Sequence, residues 1–177
     1  MSKWTSGHRP QFVRSPRELP RKDLVALIGR RLDAVWFLWN TTDDEWFADA
    51  PVVMQFADLT VECCANKIDE YSLTFDTLSV APGPVAWFGE VHEDLEWRSV
   101  VAFGIEHVLG CRLQAINAIE YRFELSDFVG TAPWVLAGIE FGFSEGHLRL
   151  VNGLDENAVR REQLDESFRT VRLVPFE

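Results

Sequence analysis

Three segments of this 177-residue chain occur twice, in the same order. Gly29-Arg30-Arg31-Leu32-Asp33-Ala34-Val35 returns as Gly110-Cys111-Arg112-Leu113-Gln114-Ala115-Ile116. Asn66-Lys67-Ile68-Asp69-Glu70 returns as Asn152-Gly153-Leu154-Asp155-Glu156. Thr74-Phe75-Asp76-Thr77-Leu78-Ser79-Val80-Ala81-Pro82 returns as Ser167-Phe168-Arg169-Thr170-Val171-Arg172-Leu173-Val174-Pro175. One match would carry little weight, but three in register, with only the loops changing length, predict a tandem duplication. Each copy, at roughly 60 to 75 residues, buries too little apolar surface to stand comfortably alone. The expectation is therefore one globular unit, with a basic arm over 1–20, repeat 1 over 21–82, a linker and the start of a helix over 83–100, and repeat 2 over 101–177.

Local patterning fills in the elements. Pro10, Pro16 and Pro20 make the arm extended. Asp23 is placed to cap a short helix over 24–28 that Gly29 closes. Strands are predicted over 32–39, 52–56, 60–64 and 73–80, with a hairpin turn at Ala57-Asp58. Repeat 2 replays this with a helix near 105–109, strands over 113–124, 134–143, 147–151 and 168–174, and a turn at Ser144-Glu145-Gly146. Trp97, Val101, Ile105 and Val108 recur at helical spacing, so 94–109 reads as the longest helix. Residues 157–166 read as a surface insertion of one or two helical turns. The fold class is α+β, mainly β: two repeats of about four antiparallel strands plus a short helix, packed with approximate two-fold pseudosymmetry. The expected core joins Leu32, Val35, Phe56, Val61, Phe75 and Leu78 to Leu113, Ile116, Phe143, Leu148, Phe168 and Val171.

Composition excludes several classes. With 47% hydrophobic residues and seven tryptophans, the chain has ample material for a core. No run of about 18 apolar residues suggests a membrane-spanning helix. The basic N-terminus has no apolar stretch of the secretory kind, and three cysteines make no disulfide framework, so a cytoplasmic location is expected. Cys63 and Cys64, adjacent on a strand, should point to opposite faces, one to the core and one to the surface.

Charge is unevenly spread. Residues 1–31 hold eight Lys or Arg against two acids, whereas 32–97 hold fourteen acids and one base, Lys67. From Arg98 onward there are twelve acids and eight bases, and the net charge is −11. Such a field repels nucleic acid and anionic membranes and speeds encounters with basic partners.

No catalytic motif emerges. Glu90, His92, Glu93, Asp94 and Glu96 could surround a divalent ion, but a transition-metal site usually draws a second histidine or a thiolate, and a solvated acidic segment is the simpler reading. His107 and Cys111 are four apart, yet Gly110 interrupts the helix they would share. Asp69-Glu70 and Asp155-Glu156 recur in both copies, as capping residues of a duplicated turn would. No catalytic residue, metal or cofactor is expected. One loop stands out: Asp43, Asp44, Glu45 and Asp49 surround Trp46 and Phe47. Aromatic anchors ringed by charge have the composition of a protein-binding hot spot, although the two rings could equally fold back onto their own core.

In general character, small, acidic and without a catalytic motif, the chain resembles the immunity proteins of bacterial toxin systems. That resemblance implies a cognate toxin domain with a basic surface as partner, blocked at its active site. The charge pattern assigns the contact to Asp43, Asp44, Glu45, Trp46, Phe47 and Asp49, together with Glu90, Glu93, Asp94 and Glu96. A competing reading is a small-molecule or carbohydrate-binding protein or enzyme, with Trp36, Trp39, Trp87 and Trp134 in a cleft between the repeats. A third is a structural subunit of a homo-oligomer.

Overall fold

A computed structural model describes residues 10–67, 69–81, 85–87, 90–99, 103–122, 133–154, 156–160 and 171–176. Fourteen strands are present among them. They are β1 (Phe12–Val13), β2 (Ala34–Asn40), β3 (Glu45–Trp46), β4 (Val52–Phe56), β5 (Leu59–Asn66), β6 (Glu70–Phe75) and β7 (Val85–Trp87). Then follow β8 (Glu90–His92), β9 (Leu95–Arg98), β10 (Leu113–Tyr121), β11 (Val135–Phe143), β12 (Gly146–Asn152), β13 (Asn157–Arg160) and β14 (Val171–Pro175). One short α-helix, α1 (Arg21–Val25), and 3-10 turns at Pro16–Glu18 and Glu106–Val108 complete the set. The fold is mainly β and antiparallel. Among the described residues, no helix is long and apolar enough to cross a membrane.

Two sheets carry the core. In the first, β2, β4, β5 and β6 lie side by side in sequence order; in the second, β10, β11, β12 and β13 do the same. Both β4–β5 and β11–β12 turn through two residues, Ala57-Asp58 and Ser144-Glu145, so the two hairpins are of one length. A further strand flanks the first member of each set, β9 on β2 and β14 on β10.

The two sheets meet at the first repeated segment. Arg31 and Arg112 form an isolated antiparallel bridge. Gly29 N donates to Leu113 O at 2.8 Å, and Gly110 N donates to Leu32 O at 2.7 Å. Leu32 N donates to Cys111 O at 3.0 Å, and Leu113 N to Arg30 O at 2.8 Å. Exchanging 29 with 110, 30 with 111 and 32 with 113 turns each bond into its counterpart. Gly29 (φ 85°) and Gly110 (φ 78°) both sit in the left-handed region, which is why the segment opens on glycine in both places.

Side chains from both sheets fill the space between them. Leu32, Val35, Phe56 and Val61 are buried together with Leu113, Ile116, Phe143 and Leu148, as the strand periodicity predicts. Tyr71, fully buried, donates its hydroxyl to Leu150 O at 3.0 Å across the interface. A second apolar cluster covers the outer face of the first sheet, where Leu38, Val53 and Cys64 meet Leu78, Val85, Leu95 and Trp97.

Several expectations need correction. The described residues of 94–109 are not one helix: Leu95 and Trp97 alternate with Glu96 and Arg98 on β9, and a 3-10 turn spans Glu106–Val108, while Val101 lies outside the described residues. The two-residue period had a burial purpose, and the apparent helical spacing joined residues of different elements. Helix α1 begins at Arg21, behind Pro20 rather than an Asp23 cap, and no side chain caps it: Arg21 N donates to Leu19 O at 2.8 Å and Asp23 N to Pro20 O at 3.1 Å. The strand expected over 73–80 ends at Phe75, since Asp76 takes a positive φ of 52°. Leu78 then crosses to the second cluster, while Phe75 is only half-buried against the first. Asn157–Arg160 is an edge strand, not helical turns.

The arm is not simply extended, because Phe12 and Val13 pair with Ser72 and Tyr71. β14 lies against β10, the place that β9 takes beside β2, so the third sequence match does not superpose β6 on β14. Val171 is half-buried on that edge strand; Phe168 lies outside the described residues. Cys63 and Cys64 do point to opposite faces, but both are buried because both faces of the first sheet are covered. Burial pushes the Cys63 thiol up to about 12.

Candidate partner-binding edge

The two acidic segments come together at one edge of the first sheet. The chain reverses direction after β2 in a turn built by Asn40, whose Oδ1 accepts from Thr42 N at 2.9 Å and Asp43 N at 3.2 Å. Asn40 Nδ2 donates to Asp43 Oδ2 at 2.8 Å. An asparagine is suited to this, because its amide mimics the backbone of a turn. The returning strand β3 sets Glu45 opposite Asn40 and Trp46 opposite Trp39.

On the other edge of β2 runs β9, with Trp39 opposite Glu96 and Asn40 opposite Leu95. Thr41 N donates to Asp94 O at 2.7 Å, and Thr41 Oγ1 to the same oxygen at 3.1 Å. The turn at 41–44 is thereby tied to the turn at 93–94, about fifty positions away in sequence.

Arg98 clips the arrangement. Its Nη1 reaches Asp44 Oδ1 at 3.1 Å, its Nε pairs with Glu96, and its guanidinium stacks 5.3 Å above the Trp39 ring. Trp39 Nε1 donates to Asp44 Oδ1 at 3.0 Å. The bonds from Trp39 and then Arg98 hold the Asp44 carboxyl below the usual carboxylate range. Arg98 and half-buried His92, whose Nδ1 is 3.7 Å from Asp94, are the bases set among these acids in the described residues. Asp43, Asp44, Glu45, Asp49, Glu90, Glu93 and Asp94 are exposed, and Glu96 is half-buried. This is a negative surface whose turns are tied together by hydrogen bonds and by the Arg98–Asp44 pair.

The aromatic pair does not join it. Neighbouring residues on a strand point to opposite faces, so Trp46 and Phe47 clamp the sheet from both sides. Trp46 packs against the core, its ring edge-on to Phe37 at 5.3 Å and tilted against Phe103 at 5.1 Å. Its Nε1 is buried with no hydrogen-bond partner among the described residues. Phe47 packs against the second cluster. The expected anchor is thus corrected: both rings pack on the fold, and among the described residues it is Val91, 70% exposed between Glu90 and Glu93, that adds an apolar side chain to the edge.

Sequence reasoning missed the residues that hold the edge in place. Arg98 is one; Asn157 is the other. Asn157 is buried on β13, and its Nδ2 donates to Ala48 O and Ala50 O at 2.8 Å each. Its Oδ1 accepts from Ala65 N at 2.8 Å, and its own N donates to Ala48 O at 3.0 Å. The second sheet therefore fixes the loop carrying Asp49. Nothing near Asn157 in sequence announces this, because its partners lie about a hundred residues away.

Other candidates fare differently. Among the described residues no group of three or more His, Cys, Asp or Glu is arranged to hold a metal ion. Cys111 Sγ donates to His107 O at 3.4 Å, while the His107 ring turns to Gly104 O at 2.8 Å, so thiol and imidazole are not paired. The tryptophans do not line one cleft. Trp36 packs on the outer face of the first sheet, Trp39 stacks under Arg98, and Trp134 lies against Arg122 and Arg172 at 5.1 and 4.3 Å. The Trp87 side chain lies outside the described residues. No protein-family model, no curated protein and no solved structure matches this chain.

Proposed function

We propose that this protein is an immunity protein that binds and neutralises a cognate bacterial toxin domain through its acidic edge. The observation that carries this reading is the tie between Thr41 and Asp94, which merges two separated acidic segments into one surface. Seven exposed carboxylates on these two segments, with Arg98 already held by Asp44 and Glu96, make a steering field for a basic partner. The anchoring energy then comes from charge complementarity spread over the edge and not from Trp46.

The test looks first for a toxin-like domain in the reading frame beside this one, then uses that domain with growth rescue and stopped-flow association as readouts. Glu45, Asp49 and Glu93 are the residues to reverse, because Asp44 is needed by Trp39 and Arg98. Glu45→Lys, Asp49→Lys and Glu93→Lys together should slow association on the order of tenfold or more at low salt and flatten its salt dependence. Unchanged association and intact rescue would remove the acidic edge from the binding surface.

The two sheets are read as copies of one ancestral unit related by approximate two-fold pseudosymmetry. The exchangeable bonds at the Arg31–Arg112 bridge and the shared strand order support this. Gly29→Ala and Gly110→Ala should each cost about 1 kcal/mol, since each forces a side chain into left-handed backbone with open space around it. Urea unfolding compares the two. Costs differing by more than about 1 kcal/mol would show that the two corners are not equivalent.

A further inference from the structure

We propose that Trp39, Asp44 and Glu96 form a binding site for the guanidinium of a partner's arginine, a site that Arg98 fills in the free protein. That the partner is a toxin domain rests on the function proposed above, whereas the site rests on its own geometry. Trp39 stands near the end of β2, Asp44 in the turn that follows, and Glu96 on β9 opposite Trp39. Their places are set by bonds that do not involve Arg98. The β2–β9 ladder puts Trp39 beside Glu96, and Trp39 Nε1 donates to Asp44 Oδ1 at 3.0 Å. Asn40 and the tie from Thr41 to Asp94 O shape the turn. The fold therefore sets two carboxylates around one indole ring, and like charges so placed call for a cation.

The cation that fits is flat. Arg98 Cζ lies 5.3 Å from the Trp39 ring centroid, with Nε paired to Glu96 and Nη1 3.1 Å from Asp44 Oδ1. A guanidinium spreads its donors around one plane, so it meets two carboxylates while its face covers a ring. An ammonium, a compact point charge, does not combine all three contacts. The ring adds attraction of its own, because its face is electron-rich.

Arg98 is held loosely enough to be exchanged. The Asp44 and Glu96 side chains are 82% and 46% exposed, and ion pairs open to water are weak. Arg98 Nη2, Asp44 Oδ2 and Glu96 Oε2 make no hydrogen bond among the described residues, so the site keeps unused capacity. A change of side-chain rotamer takes the guanidinium away without moving β9. An arginine from the partner then bridges Asp44 and Glu96 in its place, and the turn stays tied to β9. Arg98 thus acts as a competitor held in cis: it lowers the affinity for any cation and favours the one that reproduces its three contacts.

The test uses methylguanidinium as the probe and methylammonium at equal concentration as the control, on the full-length protein. Nitrogen-15 NMR follows the Trp39 indole N–H, assigned with Trp39→Phe, and the amides of Asp44 and Glu96. Arg98→Ala empties the site, and in this variant methylguanidinium should shift these signals along a saturable curve. A midpoint on the order of 0.1 M suits one exposed ion-pair site and one stacked ring. Methylammonium should bind at least about threefold more weakly, and the wild type should need at least about threefold more methylguanidinium than Arg98→Ala. Adding Glu96→Gln should weaken binding severalfold, and amide exchange at 43–45 should slow as the probe binds. Arg98→Thr, a better strand former, repeats the measurement should alanine unsettle β9. The proposal is overturned if the shifts do not saturate, if methylammonium matches methylguanidinium, or if the wild type binds the probe as tightly as Arg98→Ala. Probe binding with a toxin association untouched by the Glu45, Asp49 and Glu93 reversals would keep the site and remove the toxin as its partner. A lack of probe binding removes the site whatever the toxin does.

Discussion

Replacing Asn157 with alanine is expected to destabilise the protein by about 3 kcal/mol or more, because each buried backbone group that loses its partner costs about 1 to 3 kcal/mol. The alanine removes the donor to Ala48 O and Ala50 O and the acceptor of Ala65 N, while the backbone bond from 157 to Ala48 O can persist. Asn157 is 2% exposed, so water cannot replace the lost bonds without opening the sheet. Urea unfolding measures the loss, and amide exchange locates it. Protection should fall first at 48–50 and at Ala65, and the Asp49 loop should lose its fixed position on the acidic edge. A cost below about 1 kcal/mol would mean that the loop holds itself, and that β13 only leans on it.

The second large effect is expected at Phe37. Its side chain is fully buried in the core, and its ring meets both Trp46 and Phe103 at 5.3 and 5.1 Å. Phe37→Ala should cost about 3 to 5 kcal/mol, the sum of lost transfer energy and a cavity that flat neighbouring rings cannot collapse to fill. The cavity also undermines β3, since Trp46 stands on Phe37, so the acidic turn should loosen with the core. A calorimetric scan reports the first effect and Trp fluorescence the second. Phe75 makes a useful contrast. It is half-buried, so Phe75→Ala should cost clearly less than Phe37→Ala, against the expectation that the repeated aromatic anchors the core. Equal losses at the two sites would mean that Phe75 carries core packing despite its exposure.

Both results bear on function through the same route. The rings of Trp46 and Phe47 pack on the fold, so what the edge offers is a set of fixed charge positions beside exposed Val91. Arg98 fixes one turn against another, and Asn157 fixes the loop behind them. Losing either support should blur the field before it unfolds the protein.

What the sequence by itself determined is local and periodic. Short runs of β-branched and aromatic residues bounded by turn residues placed β2, β4, β5, β10, β11 and β12 to within a few residues, since such side chains fit a pleated strand and the turns end it. The repeated Gly-x-x-Leu segment was plain in the sequence, and the structure gives its glycines a reason, since Gly29 and Gly110 both take left-handed backbone. The clustering of acids was also plain, since charge is counted without knowing the fold.

What only the tertiary structure decided is where both faces of a strand are covered. Leu78 and the β7–β9 segment cross over the outer face of the first sheet, pinned at 77–78 by bonds from Thr77 N and Leu78 N to buried Glu62 at 2.8 and 3.1 Å. That cover buries Cys64 and turns Phe47 inward, while the facing sheet claims Trp46. An aromatic pair among acids reads the same whether it faces solvent or core. Its direction is settled by which surfaces remain uncovered after the whole chain has packed, and that depends on contacts some fifty to a hundred residues away, such as Thr41 with Asp94 and Asn157 with Ala48, which no local window contains.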